Sequence, residues 1–201
     1  AGTNVYVAAP SPVTPPGRMI NIFYYRYVPV AYVFSRPRGG WSGRISQSGT
    51  LNALRTSGPG NIVAASGSNV AVDSGPSPNP AHDRVVIYRR PARGWGKVSP
   101  PSGSFAFTPV SGDASGESIA ISAHRIVALC SAESSSYGFG PGSVYVADEP
   151  SQGWKGFSYS PRRPVIDDPA NTSSGQIALN DSDLFIDNAS NEIDVFDASH
   201  L

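Results

Sequence analysis

Apolar residues along this chain come in short runs separated by polar clusters rich in Gly, Pro and Ser. Three stretches share one pattern, a strand-like run, a short turn and a second run: Val63 to Val72, Ile119 to Leu129 and Ile177 to Ile186. Their starts lie 56 and 58 residues apart. Apolar runs this short, joined by turns this tight, predict antiparallel hairpins, and no apolar stripe of helical period competes with them.

A second element recurs downstream of each hairpin. Runs that begin at Ala31, Val86 and Val144 lead into Pro37-Arg-Gly-Gly40-Trp41, Pro91-Ala-Arg-Gly94-Trp95 and Pro150-Ser-Gln-Gly153-Trp154, with Pro and Trp four residues apart each time. Each unit therefore reads as strand A, turn, strand B, a Pro/Ser/Gly loop, strand C, a Pro-x-x-Gly-Trp turn and strand D. Four strands per period of roughly 50–60 residues is the arithmetic of β-propeller blades, which bury their faces by stacking on neighbours. The expected fold is all-β, a propeller-like array of about four antiparallel blades in one domain over residues 1–201. The units fall at approximately 1–49, 50–104, 105–162 and 163–201.

The terminal units are expected to be incomplete. Asn4-Val-Tyr-Val7 matches Asn69-Val-Ala-Val72, so the first unit starts at its A–B turn, and Glu192 to Ala198 matches strand C of the last. A competing register makes Val5 to Ala8 strand A and Met19 to Tyr27 strand B. Unpaired edges of this kind invite completion by one another, by a second copy or by a further domain.

Ser118 to Ser122, Arg125 to Leu129, Gly142 to Val146 and Gly153-Trp154 together resemble the FG-GAP-type repeats of extracellular propellers. That resemblance implies kinship with the integrin α-subunit head and a role in recognition or adhesion. Calcium-binding members of that family carry an Asp-x-Asp-x-Asp-Gly turn between strands A and B. The corresponding turns here are Ser66 to Asn69, Ser122 to Arg125 and Asn180 to Asp183, and only the last offers several oxygens. Calcium takes six to eight, so no metal and no other cofactor is expected.

Composition narrows the class further. Gly 21, Pro 19 and 39% hydrophobic residues suit a folded, turn-rich β chain. The single Cys130 lies inside an apolar strand and reads as a small core residue. No apolar run is long enough to span a bilayer. The start Ala1-Gly-Thr and the Asn-x-Ser/Thr matches at Asn171, Asn180 and Asn188 suit a secreted or surface-displayed chain. Zero formal net charge argues against a nucleic-acid partner, yet residues 1–110 hold eleven Lys/Arg against two acids and residues 111–201 four against thirteen. In a ring-shaped fold opposite halves of that kind help the first and last units close the ring, between molecules they favour head-to-tail contact, and drift in surface composition accounts for them equally well.

The candidate ligand residues are Trp41, Trp95 and Trp154, whose faces suit sugar stacking, and Tyr24, Tyr25, Arg26 and Tyr27 in the aromatic stretch after a Pro-rich loop. Recurrence at one architectural turn favours packing between blades for the tryptophans. The aromatic stretch reads equally as an interaction surface and as an edge strand. His82, His124 and His200 stand apart from any catalytic motif. The expected function is a non-catalytic recognition or adhesion module for a protein or glycan. A self-associating structural protein is the alternative, and a hydrolase with a cross-blade site the third reading.

Overall fold

The computed structural model describes residues 4–13, 26–52, 62–73, 84–107, 116–134, 138–161, 163–167, 176–187 and 192–201. Among these the chain is all-β, with a single 3-10 turn at Ala198–His200 and no α-helix. Four sheets follow one another along the sequence, and none closes on itself.

The first sheet holds β1 (Asn4–Val13), β2 (Arg26–Ser35) and β3 (Gly49–Asn52), in that order. Because β1 pairs directly with β2, from Asn4 opposite Ser35 to Val13 opposite Arg26, Arg26 and Tyr27 begin a strand. Tyr24 and Tyr25 lie outside the described residues.

The second sheet is the meander β4 (Val63–Ser66), β5 (Asn69–Asp73), β6 (Arg84–Arg89) and β7 (Gly103–Ala106). The third joins β8 (Gly116–Ile121), β9 (Arg125–Ser134) and β10 (Gly138–Asp148) to β12 (Ile166–Asp167). Between β10 and β12 the chain reaches back, and β11 (Phe157–Tyr159) adds in parallel to β7 of the second sheet. The fourth sheet is β13 (Ile177–Leu179), β14 (Asp183–Asp187) and β15 (Ile193–Asp197).

Strand composition explains how the sheets stack. In β5, β6, β9 and β10, consecutive residues such as Val70-Ala71-Val72 and Ile126-Val127-Ala128-Leu129 are all buried, as strands covered on both faces must be. Alternate side chains go to different cores. Val70, Val72, Val86 and Tyr88 meet Ala31, Val33 and Leu51 of the first sheet. Ala71, Val85, Ile87 and Phe105 meet Ile126, Ala128 and Tyr145 of the third, and Cys130 is buried among them. Val127, Leu129, Val144 and Val146 meet Leu184 and Ile186 of the fourth.

Among the described residues, the two terminal sheets pack against a neighbouring sheet on one face. Along β14 and β15 burial alternates, and Val195 and Ile193 stand 59% and 65% exposed. In the first sheet Ala31 and Val33 are buried while Tyr32 and Phe34, which alternate with them, are half-buried.

Candidate functional site

The Pro-x-x-Gly-Trp turn takes the same shape three times. Gly40, Gly94 and Gly153 each donate their backbone N–H to the carbonyl of the proline three residues earlier, at 3.0, 2.8 and 2.7 Å. Their φ angles are 92°, 88° and 79°, a left-handed conformation that costs glycine little and any side chain more. Proline presets the first bend and glycine the last, so the turn before each tryptophan closes in the same way.

Two of the three tryptophans dock on the preceding sheet. A Cβ on Gly49, the first residue of β3, would lie 2.5 Å from the Gly96 carbonyl oxygen and 3.4 Å from the Trp95 Cβ. A Cβ on Gly103, the first residue of β7, would lie 2.6 Å from the Trp154 carbonyl oxygen. Backbone continues the seam. Ser99 donates its N–H to Thr50 and forms a parallel bridge with Leu51, while β11 runs parallel to β7 from Phe157 opposite Gly103.

The two docked indoles differ in one polar contact. Trp95 donates Nε1–H to the Tyr6 hydroxyl at 3.1 Å and packs edge-on to that ring, centroids 5.9 Å apart. Trp154 is fully buried, edge-on to Phe157 at 5.0 Å, and its Nε1–H has no partner among the described residues. Ala71 holds the place in the second sheet that Tyr6 holds in the first, and it carries no acceptor.

Trp41 differs from both. It is 40% exposed, and exposed Arg36, Arg38 and Arg44 flank it on the same β2–β3 connection. Residues 1–52 contain five arginines and no Asp or Glu. The face of the first sheet turned away from the core carries Val7, Tyr32 and Thr50 in one cross-strand row, with Phe34 beside it. No protein-family model, curated protein or solved structure matches this chain.

The polar clusters elsewhere serve the seams and turns. Arg89 of the second sheet and His124 of the third both pair with Glu149, at 3.5 and 3.3 Å. The His124 ring is open to solvent, and the Ser122 hydroxyl accepts from the His124 backbone N–H and does not meet the ring. Asn69 Nδ2 donates to the Ala123 carbonyl at 3.0 Å, tying the second sheet to the third. At Asn180 to Asp183, Asn180 Oδ1 accepts from the N–H groups of Ser182 and Asp183, and Asp183 Oδ2 accepts from Asn180 Nδ2 and Ser182 Oγ. Those bonds close the turn on itself, and no group of three His, Cys, Asp or Glu among the described residues is placed to hold a metal.

Two titrating groups are displaced. Burial pushes the Tyr88 hydroxyl well above its usual value. Hydrogen bonds from the Ser199 side chain and backbone, then from His200, hold Asp197 below the usual carboxylate value where it caps the terminal 3-10 turn. His82, Asn171 and Asn188 lie outside the described residues. No described helix is long and apolar enough to cross a membrane.

Proposed function

We propose that this chain is a non-catalytic recognition module with propeller-type blades, secreted or displayed at a surface, that binds an acidic glycan or protein through the open side of its first sheet. The observation that carries this reading is the contrast among three equivalent tryptophans. Trp95 and Trp154 are consumed in docking on the sheet before them, whereas Trp41 leaves an identical turn with no such sheet described ahead of it. By that equivalence Trp41 stands at the rim of the first sheet's outer face. An exposed indole on a connection that also carries three exposed arginines suits a ligand with an apolar surface and negative charge.

The propeller reading is supported by four successive up-and-down sheets stacked face to face. Their leading strands also lie together, β1 beside β4, and both β4 and β13 beside β8. The resemblance to FG-GAP-type repeats adds the recognition role and the extracellular setting. His124 offers no support for hydrolysis, since its ring lies in solvent and Arg89 shares its carboxylate.

The test is binding to an array of neutral, uronic and sulfated oligosaccharides and to acidic proteins, with Trp41→Ala and Trp154→Phe in parallel. Acidic ligands are expected to bind, Trp41→Ala to lose them at an unchanged melting temperature, and Trp154→Phe to keep them. Binding that survives Trp41→Ala, or no binding to any acidic ligand, contradicts the reading.

A further inference from the structure

The two ends of the stack are opposite in charge, and each is a three-stranded sheet. On the outer face of the fourth sheet, Ala178, Phe185 and Val195 form one row across three strands, with Asp183 paired to Asp197 on one side and Asp187 to Ile193 on the other. Residues 176–201 contain six Asp/Glu and no Lys or Arg. The outer face of the first sheet presents the row Val7, Tyr32 and Thr50, and residues 1–52 contain five arginines and no acid. Among the described residues, none of the three cores joins the first sheet to the fourth.

We propose that the outer face of the fourth sheet docks on the outer face of the first sheet of a second copy, head to tail. This rests on the reading of the first sheet's outer face as the binding surface, and it names a partner for that face. Charge selects the pairing. Fourth sheet against fourth sheet brings Asp183, Asp187 and Asp197 against the same three acids, and first against first brings the exposed Arg36, Arg38 and Arg44 of the β2–β3 connection against the same three arginines. Only the unlike pair brings opposite signs together, so the contact is heterologous. Geometry is already rehearsed within the chain, where sheets pack face to face at three successive junctions with apolar rows interdigitating. The contact would cover Val195 and Ile193, which now stand in water, and Val7, which is 44% exposed.

Light scattering and sedimentation across concentration test this with two blocked variants. Val7→Glu sets a negative charge against the acidic face, and Val195→Lys sets a positive charge against the basic one. Both side chains are exposed, and far-UV circular dichroism verifies that each variant keeps the fold. The wild-type mass is expected to rise above the 21.0 kDa of one chain as concentration increases and to fall back at high salt, where the screening length drops from about 8 Å to about 3 Å. Each variant alone is expected to stay near 21.0 kDa, and an equimolar mixture to stop at two chains, because it retains one intact face of each kind.

A wild-type mass of 21.0 kDa at every concentration overturns the proposal, as does a blocked variant that assembles like the wild type or a mixture that stays single. If the wild type stays single while Trp41-dependent binding to an acidic ligand persists, only this inference falls. If the chains assemble and no acidic ligand binds, the recognition reading falls by itself.

Discussion

Gly49 and Gly96 approach so closely that a Cβ on Gly49 would lie 2.5 Å from the Gly96 carbonyl oxygen. Gly103 and Trp154 repeat the relationship one sheet later, at 2.6 Å. In both places the obstacle is backbone, which cannot rotate away. The sheet-to-sheet seam therefore depends on glycine at the start of the outer strand, and on the tryptophan turn of the next unit to fill the space.

Gly49→Ala and Gly103→Ala are expected to lower stability by about 1–3 kcal/mol each, the scale of overpacking a filled site. Gly39→Ala is the control, since nothing lies within 4 Å of its Cβ position and its φ is not positive. Urea unfolding checks this: the first two midpoints fall and the third holds or rises slightly.

Tyr6→Phe removes the acceptor of the Trp95 indole N–H and leaves that donor without its partner. A loss of about 1 kcal/mol is expected. A double-mutant cycle with Trp95→Phe assigns that loss to the pair, because Tyr6→Phe costs less once the indole N–H is gone.

Much of this design is legible in the residues. Pro37-x-x-Gly40, Pro91-x-x-Gly94 and Pro150-x-x-Gly153 announce themselves because each residue type meets a local backbone need. The hairpins of β4–β5, β8–β9 and β13–β14 are equally local, and the all-β class follows from them. The docking of Trp95 on Gly49 is not legible, because a glycine required by close approach looks like one required by a turn until distant chain is placed against it. The parallel addition of β11 to β7 is likewise hidden, since Phe157-Ser-Tyr159 carries no mark of which sheet it joins. Arg26 and Tyr27 read from the sequence equally as surface and as strand, and pairing with Val13 and Pro12 makes them the start of β2.

Tyr88 adds a dependence on alkaline pH. Its hydroxyl has a raised pKa in the folded state, so the neutral form is the one the core holds. That contribution is complete below the unfolded value of about 10 and is lost as pH rises beyond it toward the folded value. Unfolding midpoints across that range are expected to fall for the wild type and to fall less for Tyr88→Phe.

Asp197 acts at the other extreme. Its lowered pKa means that the ionised form holds the terminal turn, with Ser199 as first donor. The cap is complete above the unfolded value of about 3.9 and is lost as pH falls through the lower folded value. The Ser199 amide resonance, followed by NMR, is expected to shift with acid at a midpoint below that of an ordinary Asp, and Asp197→Asn to abolish the shift.

The measurement that bears most directly on the account is acrylamide quenching of single-tryptophan variants in dilute solution. One variant keeps Trp41 and the other Trp154, with the remaining tryptophans replaced by Phe. Trp41 is expected to emit at long wavelength and to quench readily, while Trp154 emits at short wavelength and resists. A Trp41 as shielded as Trp154 would mean that the first sheet's outer side is already covered within a single chain, and it would contradict the claim that this turn stands open to a partner.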